Sequence, residues 1–199
     1  IFPLICLELD SIKSLPKKNY FFFGFTFSFS FLVFYLSWIV NPFLVFEETK
    51  NLAFLSIFLI LFISIIAGVI FYFSKILFKD LLPTFIFLPY VLIIFELIIS
   101  NILSGFPWIS FSLIISNLNI GLTLIKHTGT IFTSFFILVI FSSPYFFLIT
   151  QYKIKNKLPL LFVPIILFFI VFCYAYLNKK TDPIKNFKIK IVQLNKEIN

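Results

Sequence analysis

The stretch LAFLSIFLILFISIIAGVIFYFS, Leu52–Ser74, runs for 23 residues without a charged side chain. A helix rises ~1.5 Å per residue, so ~20 such residues cross the hydrocarbon layer of a bilayer. Lipid offers no hydrogen bonds to the backbone, which excludes an open strand in spite of the many β-branched residues. The stretch therefore reads as a transmembrane helix. Working outward, comparable apolar runs predict helices near residues 20–41, 82–103, 129–150 and 158–177, with residues 1–9 as the end of an earlier one. The predicted fold for residues 1–178 is an all-α polytopic membrane helix bundle.

Composition points the same way. Hydrophobic residues make up 61% of the 199 residues and charged residues 12%, with a mean hydropathy of +1.10. One soluble core could not bury that much apolar surface. The formal charge of +8 comes from lysines alone, since the chain has no Arg, and nearly all of them sit in breaks between apolar runs. Solvated loops explain them, and no nucleic-acid partner is implied. The chain contains no Met and opens inside an apolar run, so the expectation is a fragment that lacks its beginning. Cys6 and Cys173 lie within apolar runs, with neither a second Cys nor a His at ligand spacing, and read as small buried hydrophobes. No metal or other cofactor is implied.

Sidedness follows from the lysines. The first, third and fifth breaks carry Lys13, Lys17, Lys18, Lys75, Lys79, Lys153, Lys155 and Lys157, whereas the other two carry only Lys50 and Lys126. The positive-inside rule places the Lys-rich breaks in the cytoplasm and the stretches NPFLVFEETKN and SGFPWISF outside. By alternation the tail after Leu177 is also outside. Its order KIKIVQLN, Lys188–Asn195, follows the turn-prone TDP and alternates like a strand, so residues 179–199 read as a linker and the first strand of a water-soluble domain.

Glu96 stands out in this setting. It precedes the outer end of its predicted helix by seven residues, roughly 10 Å inside the membrane. A carboxyl at that depth is costly unless it is paired or faces a wet cavity, so it is either functional or an interhelical hydrogen-bonding group. Ile99 and Ser100 occupy the next helical turn, so any partner must come from another element. Nine residues on, Gly105 ends the helix and Pro107 prevents its resumption, while Phe106 and Trp108 suit the interface. Tyr35 and Trp38, three apart near the outer end of an earlier helix, also read as interfacial anchors or substrate contacts. Pro89, Pro144 and Pro164 predict kinks. His127, beside Lys126, reads as a solvated loop residue. Several intramembrane charges along a path, as ion translocation needs, are absent.

Taken in order, FYLSWIVNPF, Glu96 spaced nine residues before GFPW, Gly129 with Thr130, and KIVQLN after a final outward span resemble apolipoprotein N-acyltransferase, a bacterial inner-membrane enzyme family of lipoprotein maturation. The resemblance covers essentially the whole chain. It departs from the family's usual pattern at Ile99, where an Arg is common, and at Ser112–Ile115, where a Gly-Tyr-Ser-Gln-like run is common. It implies a membrane bundle carrying an exported α/β nitrilase-like domain, which residues 179–199 would begin. The implied reaction moves an acyl chain from a phospholipid donor to the α-amino group of a diacylglyceryl apolipoprotein. It would use a Cys nucleophile, a Glu base and a Lys, all expected beyond Asn199. No catalytic residue is then expected within the chain itself, and the substrate-binding or structural candidates are Glu96, Gly105, Phe106, Pro107, Trp108, Tyr35 and Trp38. A multi-pass transporter and a noncatalytic membrane scaffold are the alternatives left open by the residues alone.

Overall fold

The computed structural model describes residues 1–78, 82–102, 109–148 and the helical positions 166, 169–170, 172–174 and 176–177. Every regular element among the described residues is helical: α1 (Phe2–Ser11), α2 (Lys17–Tyr35), α3 (Asn41–Leu44), α4 (Leu55–Phe78), α5 (Thr84–Ile102), α6 (Asn119–Thr128), α7 (Thr130–Ser142) and α8 (Tyr145–Leu148). Short 3₁₀ segments cover Ser37–Val40, Glu47–Leu52 and Phe111–Ile115. The stretch GFPW, most of the run 158–177 and the strand expected at 188–195 lie outside the described residues.

The helices α2 and α4 pack along much of their length, and their contact is built from small side chains. The buried face of α2 is Tyr20, Gly24, Ser28 and Leu32, spaced by four, and α4 buries Ser64, Ala67 and Gly68 among its core positions. A Cβ on Gly24 would lie 2.6 Å from the Phe71 ring, and one on Gly68 would lie 2.9 Å from the Phe21 carbonyl oxygen. The opposite face of α4 exposes Phe58, Phe62, Ile65, Val69 and Phe73. Small and hydroxylated residues stand among the larger buried side chains of this contact, such as Leu32, Ile63 and Phe71, and they let the backbones approach closely, as expected where lipid is the solvent.

Among the described residues, two helical stretches are long and apolar enough to cross a membrane: Glu47–Phe78, in which a 3₁₀ segment leads into α4, and Thr84–Ile102. A third is possible if α2 and the segment Ser37–Leu44 count as one span, bent by 59°. The break at Leu36 replaces the single helix predicted over 20–41, and Pro42 falls in the first turn of α3, where its missing N–H costs no helical bond. Pro89 lies inside α5 without ending it. Pro144 acts more strongly: α7 stops at Ser142, and α8 starts at Tyr145 in place of one helix over 129–150.

At one end of the bundle α1, α2, α4 and α5 are tied together. The Thr84 hydroxyl donates to the Asp10 carboxylate. Tyr20 donates to the Leu9 carbonyl at 3.3 Å, and Lys75 Nζ donates to the Lys13 carbonyl at 3.1 Å while lying 5.2 Å from the Tyr20 ring centre. Lys13 and Lys75, from the first and third breaks, thus share one end. Glu96 lies about three turns along α5 from Thr84, toward the other.

Candidate functional site

Glu96 is buried on α5, 3% exposed, and accepts three hydrogen bonds. Ser110 Oγ donates to Oε1 at 2.9 Å, Ser134 Oγ donates to Oε1 at 3.2 Å, and the Phe111 N–H donates to Oε2 at 3.3 Å. The carboxyl therefore joins three elements: α5, the stretch leading into the 3₁₀ segment Phe111–Ile115, and α7. Ser134 also accepts the Ser112 N–H at 2.8 Å. Ser110 Oγ and Ser112 Oγ are 2.9 Å apart. Burial of a carboxyl in an apolar bundle is tolerable because these donors replace water.

The fold brings two of the three donors, Ser110 and the Phe111 N–H, in from a region predicted as an outer loop. After Ile109 the chain makes the 3₁₀ turn and then α6, whose Leu124 is buried. Gly129, with φ of +79° and ψ of 164°, ends α6 and starts α7. Its carbonyl accepts both the Thr133 N–H at 3.2 Å and the Thr133 hydroxyl at 2.7 Å, and its N–H donates to the Ile125 carbonyl at 2.9 Å, so the joint is fixed on both sides.

Beside the carboxyl lies a pocket of about 520 Å³. Glu96, Ser100, Ser110, Ser112, Ser116 and Thr130 contribute its polar wall, and Leu97, Leu113, Leu122, Ile125 and Ile131 its apolar one. No Lys occurs among the described residues lining it.

Tyr35 stacks on Phe31 at 5.1 Å, and Phe31 on Phe111 at 6.3 Å, which connects the end of α2 to the residue whose N–H meets Glu96. Tyr35 and Trp38 do not line the pocket, and Trp38 is 48% exposed in its 3₁₀ segment. Gly105, Phe106, Pro107 and Trp108 lie outside the described residues. Ser110 and Ser134 were not singled out by sequence. The SFS pattern at 110–112 was visible, but serines in apolar helices commonly bond their own backbone, as Ser64 does to Ile60. His127 meets Tyr174 edge-on at 5.5 Å. Cys6 is buried, with Sγ 4.0 Å from the Thr84 carbonyl.

A sequence model of the apolipoprotein N-acyltransferase N-terminal domain matches residues 1–143. The chain belongs to this family. The matched residues contain α1 to α7 and therefore the whole Glu96 network and its pocket. The apolar helices and the apolipoprotein N-acyltransferase family together make this a membrane protein. No curated protein and no solved structure matches the chain.

Proposed function

We propose that the chain is the membrane part of an apolipoprotein N-acyltransferase of the bacterial inner membrane, with its Lys-rich end in the cytoplasm and its C-terminal tail in the periplasm. The family match over residues 1–143 carries this reading. In the proposed reaction a Cys thiolate attacks a phospholipid ester, forming a thioester and releasing a lysophospholipid. The N-terminal amine of a diacylglyceryl-cysteine then displaces the thiol to give an amide. The Cys, its Glu base and the Lys belong to a nitrilase-like domain after Asn199, whose first strand is KIKIVQLN within residues 179–199. Residues 1–199 by themselves then carry no acyltransferase activity.

The bundle's part is to present two lipid substrates at the outer interface. Glu96 anchors the stretch Ser110–Ser112, and Gly105, Phe106, Pro107 and Trp108, which precede it in sequence, serve as substrate contacts. Tyr35 and Trp38 flank the same end of α2. The test is lipoprotein N-acylation by the intact protein in cells depleted of their own enzyme. Trp108→Ala and Glu96→Gln are expected to slow it. Undiminished acylation by both variants overturns the assigned role, and rescue by residues 1–199 alone overturns the placement of the chemistry.

A further inference from the structure

Four lysines gather at the end of the bundle away from Glu96. Lys13 lies in the connection between α1 and α2, Lys17 and Lys18 open α2, and all three are exposed. Lys75, half-buried in the last turn of α4, gives one of its N–H groups to the Lys13 carbonyl at 3.1 Å. Its Nζ also sits 5.2 Å from the ring centre of Tyr20, which follows Lys17 by one helical turn. These contacts hold Lys75 against the start of α2, yet they neutralise no charge. Among the described residues the ion pair is Lys50 with Glu47, so none of the four lysines is paired with a carboxylate. The acidic groups nearest in the chain are Glu8 and Asp10 of α1, and the Asp10 carboxylate accepts the Thr84 hydroxyl. Positive charge remains in excess.

The surroundings decide what kind of anion these charges suit. Both α4 and α5 belong to stretches long and apolar enough to cross a membrane, so their neighbouring ends at Phe78 and Thr84 fall at headgroup level. Phe22 follows Lys18 by four residues on the same face of α2 and is 59% exposed. Leu77, beside Lys75 in sequence, is 57% exposed. An ammonium group above an outward-facing phenylalanine matches a molecule with a charged head and a hydrocarbon chain. A free phosphate would leave Phe22 and Leu77 unused. Each ammonium has three N–H donors, of which Lys75 spends one on the Lys13 carbonyl, and the rest are available to a phosphodiester. We infer that Lys13, Lys17, Lys18 and Lys75 bind the headgroup phosphate of an anionic phospholipid whose chain lies along Phe22. The bound lipid fastens the connection after α1 to the end of α4. It is distinct from the proposed acyl donor, because Thr84 at this end lies about 18 Å along α5 from Glu96.

The purified intact protein in detergent is titrated with short-chain phosphatidylglycerol, with phosphatidylcholine of the same chain length, and with glycerophosphoglycerol, the same anionic headgroup without chains. Native mass spectrometry counts the bound ligand. The expected result is phosphatidylglycerol bound about tenfold more tightly than phosphatidylcholine, with glycerophosphoglycerol weaker than phosphatidylglycerol. Lys17→Gln and Lys18→Gln each weaken phosphatidylglycerol binding about fivefold, whereas Lys50→Gln, in the 3₁₀ segment before α4, leaves it unchanged. Added salt weakens the preference in the parent protein, which tests the charges without any substitution. Equal binding of the two lipids overturns the inference, as does a preference that is indifferent to salt or survives in the folded double variant of Lys17 and Lys18. A loss of equal size at Lys50 also overturns it, since any surface lysine would then serve. Glycerophosphoglycerol bound as tightly as the lipid shows a soluble-anion site and overturns the assignment to a phospholipid. Binding at this end is read without acyl transfer, so each outcome is independent of the proposed reaction.

Discussion

Ser134 Oγ lies 3.2 Å from Glu96 Oε1, so a hydroxyl in the middle of α7 donates to a carboxyl on α5, and the same oxygen accepts the Ser112 N–H. Removing it leaves a buried N–H without its acceptor and the carboxyl with two donors. Ser134→Ala is expected to cost about 1–3 kcal/mol and to quicken amide exchange at Phe111–Ile115. Thermal unfolding in detergent and hydrogen exchange measure both. Unchanged exchange at Ser112 would show that Ser134 does not hold this segment.

The joint at Gly129 tests backbone strain alone. Its φ of +79° with an extended ψ of 164° is a region almost reserved for glycine, yet a Cβ there would meet nothing within 4 Å. Gly129→Ala should therefore lose about 1–3 kcal/mol without any steric clash. A midpoint equal to that of the parent protein in the same unfolding assay would contradict this backbone geometry.

Close approach of α2 and α4 predicts a loss at two glycines. A Cβ on Gly24 would meet the Cγ and Cβ of the buried Phe71 at 2.7 and 2.8 Å, and one on Gly68 the Phe21 carbonyl oxygen at 2.9 Å, so turning a ring relieves neither contact. Overpacking costs about 1–3 kcal/mol, expected for Gly24→Ala and for Gly68→Ala alike. An unfolding midpoint equal to that of the parent protein for either variant would contradict this helix contact.

Neither cysteine within the chain serves as the nucleophile in the proposed enzyme. Cys6→Ala and Cys173→Ala should each support lipoprotein N-acylation at the parent rate in depleted cells. Loss of acylation by either one, with normal protein levels, would move the thiol chemistry into the membrane part.

The proposed orientation is open to direct labelling. In the otherwise cysteine-free protein, a thiol at Lys50 should react with a membrane-impermeant reagent in intact cells. One at Lys13 should react only after lysis. The reverse pattern would invert the bundle.

Much of the architecture was readable because lipid imposes one rule on every segment: a long uncharged run must satisfy its own backbone, and so becomes a helix. Leu52–Ser74 needed nothing else, whereas the close approach of α2 and α4 at Gly24 and Gly68 came only with the structure. The depth of Glu96 was likewise legible, as was its need for partners from another element. Local sequence could not show where those partners come from. Ser110 and the Phe111 N–H reach Glu96 because the chain after Ile109 folds back as a 3₁₀ turn instead of leaving the membrane face as a loop, and Ser134 reaches it because Gly129 sets the angle at which α7 returns beside α5. Hydropathy is a one-dimensional quantity that reports which segments prefer lipid, so it determined the helices. The bonding at Glu96 depends on how three separate segments are placed against one another, and only tertiary packing could decide that.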